Sequence, residues 1–357
     1  MFPNRTAVTL LGALCLLTSS CEESSEEQEQ DSELHPAQVT DATSLSSFLT
    51  LLGAENHPRP PGGDDPGLAA AGRILIHEGR LPNSNGKKLS EYFFCADCHS
   101  SEREQSLLSD SPSAAELLHF AHEKELPLLP GPTFAGITNR DAFFESEMAT
   151  SLDSPSGVNS SLEKAVQFCS TTLAQGRQLN ALEMQSVLAY LHSLEWRVGD
   201  LGFRGADLAE LKRRSLNPRE YSSIRDDLRK RFPTRTKSTQ GELPADSGSG
   251  YASRATRDPK RGDLVWSRAC LHCHGAEGAS PHFFGDRDST WGKLQRLFED
   301  GTVYLHIREG SKRESGVHMP PYPDEKLGEQ EIEDLRAFIE LQAGFPNQPQ
   351  APSQAPD

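Results

Sequence analysis

The strongest constraint on this chain is a five-residue motif that occurs twice. Residues 95–99 read Cys-Ala-Asp-Cys-His, and residues 270–274 read Cys-Leu-His-Cys-His. With 7 Cys and 12 His in 357 residues, about 0.005 such matches are expected by chance. Positions i, i+3 and i+4 of a helical turn share one face. The two thiols and the imidazole of each motif are therefore expected to point to the same side of a helix.

Two thiols and an imidazole on one face can attach a haem c group covalently. The thiols add to the vinyl groups, and the imidazole coordinates the iron from the same side. A thioredoxin-like redox pair or half of a zinc site would explain the thiols, but not the His that ends both motifs. The sequence thus predicts two covalently bound haem c groups. The attachment residues are Cys95, Cys98 and His99 for the first, and Cys270, Cys273 and His274 for the second.

Charge and cysteine usage limit the class of partner. The formal net charge of −16 disfavours nucleic acid and anionic membrane surfaces as the main partners, although one acidic run near the N-terminus contributes part of it. Four of the cysteines belong to the motifs, Cys15 and Cys21 lie in or beside the N-terminal leader, and Cys169 is left over. We therefore expect no disulfide framework, and Cys169 needs an explanation of its own.

The N-terminal residues indicate export. A charged residue precedes the apolar run 8–17, which is too short to span a bilayer, so residues 1–20 are interpreted as a signal peptide. Cys21 follows, and this order resembles a lipoprotein signal, which implies that Cys21 is lipidated and anchors the chain to a membrane. The alternative is a cleaved leader with an idle cysteine. Either way, the protein is expected on the periplasmic side of the bacterial cell envelope.

Composition divides the rest of the chain. Residues 21–65 are predicted to be a disordered acidic tether, with about one helical turn near 45–52. Two similar units follow, over 66–198 and 258–343, and each has an opening helix, the motif, a loop and a closing helix. The first unit also has a possible helix at 114–123. The remaining segments are a partly helical, partly flexible connector, 199–257, and a disordered Pro/Gln tail, 344–357.

The order of elements in both units resembles small, all-helical cytochrome c domains. In that family the first and last helices cross where a glycine meets an aromatic residue beside the haem. The resemblance pairs Gly72 with Tyr190 in the first unit and Gly262 with Phe338 in the second. It implies an all-α fold of two small helical cytochrome c-type domains.

The second iron has a well-placed candidate for its remaining axial ligand. Met319 lies 45 residues after His274, and two prolines follow it. This resembles the Met-Pro ligand loop of cytochrome c, in which the thioether favours ferrous iron and raises the potential. His318 is the rival, but adjacent loop residues rarely both face one metal. Met319 is therefore the predicted ligand.

The first iron has two candidates. Met148 lies 49 residues after His99, at a similar spacing, but no proline follows it. Cys169 lies on a capped helix whose inner face is apolar, so its thiol is expected to point inward. Such a cysteine could also be a small buried hydrophobe. The residues that share this face are Leu162, Val166, Cys169 and Leu173.

A second resemblance favours the cysteine. Cys169, Gly-Arg-Gln-Leu-Asn at 176–180 and Glu-Met at 183–184 are similar to a stretch in the dihaem thiosulfate dehydrogenases and in the dihaem subunit of the sulfur-oxidation complex. In both families this cysteine is the axial thiolate of a His/Cys haem. The resemblance implies that Cys169 could carry a thiosulfate-derived adduct, with Arg177 holding its sulfonate. Arg177 could instead be a surface charge after a helix end.

Together these features predict an exported, membrane-tethered dihaem cytochrome c that carries electrons between redox partner proteins. Thiolate ligation lowers one potential and methionine raises the other, so electrons are expected to pass from the first haem to the second. The alternative is an oxidoreductase that acts on thiosulfate or a related sulfur anion at the first haem. A dihaem peroxidase would need an open or displaceable His-ligated site and domain signals that the sequence lacks.

Overall fold

The computed structural model is helical throughout its described part. It describes residues 34–54, 62–81, 87–104, 112–143, 154–246, 248–251, 256–276, 278, 280, 288–311 and 319–344. Within these ranges there are no strands, only isolated bridges between Ser44 and Arg197 and between Ala142 and Arg235. The all-α prediction is confirmed. The predicted leader with Cys21 and nearly all of the predicted tail lie outside these ranges.

The described residues from Leu34 onward belong to one compact unit. None of the helices in the described ranges has the length and apolar character needed to cross a bilayer. The helices are α1 (Leu45–Leu51), α2 (Pro66–Glu78), α3 (Cys95–Cys98), α4 (Ala114–Glu123), α5 (Leu162–Phe168), α6 (Ala181–Ser193), α7 (Gly205–Ser215), α8 (Tyr221–Arg229), α9 (Pro259–Val265), α10 (Leu271–His274), α11 (Asp288–Glu299), α12 (Thr302–Glu309) and α13 (Glu329–Gly344).

Helices α2 and α6 frame the first half, and local signals set their ends. The Asp65 side chain accepts hydrogen bonds from the first turn of α2. The start of α6 is a capping box in which the side chains of Asn180 and Glu183 each accept a backbone N–H of the other residue. The two helices cross at Gly72, where a β-carbon would lie 1.9 Å from the carbonyl oxygen of Ser186 and 2.9 Å from the β-carbon of Tyr190. Only glycine allows this approach.

Helices α9 and α13 repeat this crossing in the second half. A β-carbon at Gly262 would lie 2.0 Å from the carbonyl oxygen of Asp334 and 2.7 Å from the β-carbon of Phe338. The predicted pairing of Gly262 with Phe338, and of Gly72 with Tyr190, is therefore confirmed. The closing helix α13 ends at Gly344, one residue beyond the predicted end of the second unit at residue 343.

Residues 34–54, within the segment predicted to be an acidic tether, are folded, and α1 lies where about one helical turn is predicted. Ser44 caps α1, and the side chains of Phe48 and Leu52 are fully buried. They join a core that includes Trp196 and Leu201, two residues that follow the closing helix of the first half in sequence. The apolar residues of α1 recur at helical spacing and bury enough surface to order a segment whose overall composition is polar.

The connector is partly helical, as predicted, and α7 and α8 pack into the same core as α1. Residues 234–239 then run between the two halves. The Thr236 N–H donates to the carbonyl of Ala142 in the first half, at 2.9 Å. The Asp324 N–H of the second half donates to the carbonyl of Thr239, also at 2.9 Å. These hydrogen bonds tie this part of the connector to both halves.

The segment after the first motif reaches the second half. Helix α4 forms where the sequence predicts a possible helix, and a capping box between Ser113 and Glu116 starts it. Its buried residues Leu117 and Leu118 belong to the same core as α9 and α13. The N–H of Leu128, beyond α4, donates to the carbonyl of Arg268 at 2.8 Å. The first half therefore contributes part of the core of the second.

Candidate haem-binding sites

The first motif forms a single helical turn. The N–H of Phe94 donates to the Asp97 carboxylate at 2.6 Å, and the N–H of His99 donates to the carbonyl of Cys95 at 3.0 Å. This turn brings Cys95, Cys98 and His99 to the wall of one cavity. The predicted common face is thus observed.

The cavity around the first motif is predominantly apolar. The cavity has a volume of about 160 Å³. Its aliphatic and aromatic walls suit the porphyrin ring, the thiols suit its vinyl groups, and the imidazole suits its iron. The residues at this cavity therefore fit a covalent haem. The apolar walls include Ile76, Phe93, Phe94, Phe134, Phe143, Val187 and Leu191.

The imidazole of His99 is oriented for metal binding. Its Nδ1 lies 2.7 Å from the carbonyl oxygen of Pro132, which can only accept, so Nδ1 carries the hydrogen and Nε2 keeps a lone pair. The ring also stacks on Phe134, with centroids 4.6 Å apart. Burial lowers the pKa of His99 to about 4, against the raising effect of the Pro132 hydrogen bond. The ring is therefore neutral, as a ligand must be. No motif or spacing in the sequence marks Pro132 as the partner of this ring.

The Cys169 thiol lines the same cavity. Helix α5 ends at Phe168, and a π-helical turn over Cys169–Leu173 follows. Such turns occur often at functional sites. Burial raises the pKa of the Cys169 thiol to about 12, so a thiolate here needs a bound metal to stabilise it. The competing candidate, Met148, lies outside the described residues. All four residues of the predicted inner face, Leu162, Val166, Cys169 and Leu173, line the cavity.

The structure gives Arg177 a different partner from the predicted sulfonate. Its guanidinium donates to both carboxylate oxygens of Glu183, at 2.6 and 2.7 Å. It also donates to the carbonyl of Lys88 at 3.0 Å. Arg177 is not among the residues that line the cavity. This pairing favours the interpretation of Arg177 as a charge after a helix end, and its anion-holding role stays a prediction.

A buried arginine is hydrogen-bonded to the wall of the cavity. Arg140 is 5% exposed and donates to the Thr236 hydroxyl at 2.9 Å and to the carbonyl of Thr133 at 3.1 Å. Burial lowers its pKa to about 10, so it remains charged at neutral pH. Thr236 lines the cavity, whereas Arg140 does not. Arg140 therefore places a positive charge behind the wall, and no local sequence signal marks it.

The second motif forms the short helix α10, preceded by a π-helical turn over Trp266–Cys270. Burial raises the pKa of Cys270 to about 12 and that of Cys273 to about 11. Met319 and Cys270 both pack against the core of the second half, and the Met319 N–H donates to the Ser311 hydroxyl at 2.6 Å. The rival His318 and the neighbouring segments 281–287 and 312–318 lie outside the described residues. Met319 thus stays the predicted ligand of the second iron.

The two motifs lie close to one another. The pKa of the Cys98 thiol is raised well above its usual range by burial and, after burial, by the Cys273 thiol. The pKa of His272 is lowered by burial, and the Asp97 carboxylate opposes this change. Each motif therefore lies within electrostatic range of the other.

Comparison with known families identifies part of the second half. Residues 257–339 match the family described as cytochrome c oxidase, cbb3-type, subunit III. The match supports a c-type cytochrome domain in this stretch, which implies a covalently bound haem c and suggests a role in electron transfer. It contains the second motif and Met319. Searches of curated proteins and of solved structures give no match.

Proposed function

We propose that the chain is an exported dihaem cytochrome c that carries electrons between redox partner proteins. The observation that carries this proposal is the His99–Pro132 hydrogen bond at 2.7 Å, which fixes an imidazole beside two thiols in an apolar cavity. The repeated helix crossing at Gly72 and Gly262 supports the same origin for both halves. The chain would then carry two haem c groups: one at the first motif, and the one that the family match implies for residues 257–339.

The axial ligands proposed are His99 and Cys169 for the first iron, and His274 and Met319 for the second. The cavity position of Cys169 supports the first pair, with Met148 as the alternative. A thiolate stabilises ferric iron, whereas a thioether stabilises ferrous iron. One electron would therefore move from the first haem to the second. This step oxidises the first iron from ferrous to ferric and reduces the second from ferric to ferrous. The second haem would then pass it to a partner.

The haem content of the mature protein tests this proposal. The mass should exceed that of the polypeptide by two haem groups, and a haemochrome assay should give two haems per chain. Cys98→Ala and Cys273→Ala should each weaken attachment of one haem and leave the other covalently bound. A wild-type protein that carries one haem, or none, would refute the dihaem proposal.

A second candidate function is oxidation of thiosulfate at the first site. Cys169 lines the cavity beside the motif, where a sulfur nucleophile could meet a sulfur anion. Joining two thiosulfate ions through a new S–S bond releases two electrons and no proton, and two haems can accept one electron each. Anaerobic addition of thiosulfate to the oxidised protein tests this function. Reduction of the haems would support it, and absence of reduction would exclude it.

Membrane attachment is proposed through lipidated Cys21, at the periplasmic side of the cell envelope. The support is the short apolar run of the leader followed by Cys21 and an acidic tract. Labelling with a fatty-acid analogue tests it. Wild type should incorporate the label and fractionate with membranes, whereas Cys21→Ser should do neither. If the wild type incorporates no label, Cys21 is not lipidated, and the alternative of an ordinary cleaved leader is correct.

A further inference from the structure

Four consecutive residues, Met319–Tyr322, connect the cavity of the first motif with the core of the second half, and we call them the strap. Pro320 and Pro321 line the cavity of the first motif. Met319, the predicted ligand of the second iron, packs against the core of the second half, and so does Cys270 of the second motif. The wall of one site is therefore joined by peptide bonds to the ligand of the other.

Tyr322 anchors the end of the strap at the junction of the two halves. It is 5% exposed, and its N–H donates to the carbonyl of Ile307 at 2.7 Å. Its hydroxyl lies 2.8 Å from the carbonyl oxygen of Ala269 and 3.2 Å from that of Leu128. Ala269 directly precedes the second motif, whereas Leu128 precedes the loop that supports His99. One buried hydroxyl thus bridges backbone from both halves.

The strap is also stiff. The rings of Pro320 and Pro321 fix their φ angles, so two successive backbone rotations cannot absorb a displacement. The residue that follows them, Tyr322, is held in place by hydrogen bonds from both its backbone N–H and its side chain. A displacement of the wall at Pro321 must therefore move Met319, because packed interiors transmit strain rather than absorb it.

We propose that the strap couples the two haem sites, and that Tyr322 is the positioning residue for this coupling. A change at the first site would shift the wall at Pro320 and Pro321 and, through it, the position of Met319 at the second iron. The ligation state of the first haem would thereby alter the potential of the second. This inference rests on the proposed dihaem function.

A double-mutant cycle on the haem-loaded full chain tests the coupling. Cys169→Ala perturbs the first site, and Tyr322→Phe removes only the bridging hydroxyl. Potentiometric titration gives both reduction potentials, and the far-red methionine-to-ferric charge-transfer band reports the Met319 ligand. Cys169→Ala should shift the second potential in the Tyr322 protein and shift it less in the Tyr322→Phe protein. Tyr322→Phe alone should alter the spectra of both haems and weaken the methionine band.

The matched control is Tyr304→Phe. Tyr304 is also a buried tyrosine of the second half, and its hydroxyl donates to Glu333 at 2.6 Å, away from the strap. Tyr304→Phe should lower the melting temperature and leave both haem spectra unchanged. If Tyr322→Phe does not fold, Pro321→Ala takes its place in the cycle, because it loosens the strap without removing a buried hydrogen bond.

Two results would overturn the inference. The strap does not couple the sites if the two mutations shift the second potential additively. Nor does it if Tyr322→Phe changes the spectrum of the second haem alone, because Tyr322 would then support only the methionine loop. Either result leaves the dihaem function intact. A single haem in the wild-type mass would instead refute the proposed function, and the coupling with it.

Discussion

Gly131 lies against the ring of His99. A β-carbon at Gly131 would come within 2.6 Å of both Nδ1 and Cε1 of that ring, and within 2.6 Å of the carbonyl oxygen of Cys98. The Gly131 N–H also donates to that carbonyl, at 2.8 Å. Glycine at this position therefore allows the Pro132 carbonyl to reach His99 and hold the ring toward the cavity.

Replacement of this glycine should impair the attachment of the first haem and not that of the second. Gly131→Ala must displace the backbone of Cys98 or the ring of His99, at a cost of about 3 kcal/mol. We expect the first haem to show an altered spectrum or reduced attachment in the haemochrome assay, and the second haem to stay covalently bound. Gly292→Ala is the control, because its β-carbon would meet nothing closer than 3.7 Å. An unaltered first haem in Gly131→Ala would contradict this account of the loop.

The Cys169 thiol should affect the first haem most strongly. Cys169→Ala removes the proposed thiolate, so the spectrum of the first haem should change and its potential should rise. Absorption spectroscopy and potentiometric titration measure both. Leu173→Ala is the control, because Leu173 lines the same cavity but offers no ligand. If Cys169→Ala has the spectrum of the wild type, thiolate ligation is excluded and Met148 becomes the candidate.

Met319 should determine the potential of the other haem. Met319→Ala removes the proposed thioether, so that potential should fall and the methionine charge-transfer band should disappear. The spectrum of the first haem should shift less than that of the second. Met184→Ala is the control, because Met184 is a buried core methionine of α6 that does not line the cavity of the first motif. Retention of the band in Met319→Ala would mean that another residue ligates the second iron.

The sequence predicts those parts of the sites that depend on local spacing. The motif turns, the inner face of α5 and the glycine–aromatic helix crossings each follow from residues that are close in sequence or from a repeated order of elements. Arg140 and Tyr322 escape such reasoning because their partners are distant. The Thr236 hydroxyl lies 96 residues from Arg140, and the Leu128 carbonyl lies 194 residues from Tyr322.

Composition misleads where a few apolar residues act against a polar background. The chain before α1 is acidic and rich in serine, so its composition predicts a tether. Its folding depends on a receiving surface formed by Trp196 and by connector residues far along the chain. Similarly, Arg177 matches a family pattern, and only the structure shows that Glu183 binds its guanidinium. Distant residues decide the first case, whereas the partner of Arg177 lies only six residues away, in the capping box of α6.

The Arg177–Glu183 pair should stabilise the fold in a pH-dependent way. The hydrogen bonds from Arg177 lower the pKa of Glu183, whose side chain is 4% exposed. A carboxylate with a lowered folded-state pKa contributes stability above its unfolded pKa, and this contribution is lost as pH falls through the folded value. Arg177→Ala should therefore cost about 2 kcal/mol near neutral pH, because it leaves a buried carboxylate unpaired, and less in acid.

Urea denaturation at several pH values measures this effect. Arg177→Ala and Glu183→Gln should each lower the free energy of unfolding near neutral pH, and the double variant should lose less than the sum of the two. The Arg213–Glu210 pair is the control, because both side chains are largely exposed, and Arg213→Ala should change stability little. If Arg177→Ala leaves stability intact at neutral pH but abolishes reduction by thiosulfate, Arg177 acts on the substrate anion after all, and its structural assignment is wrong.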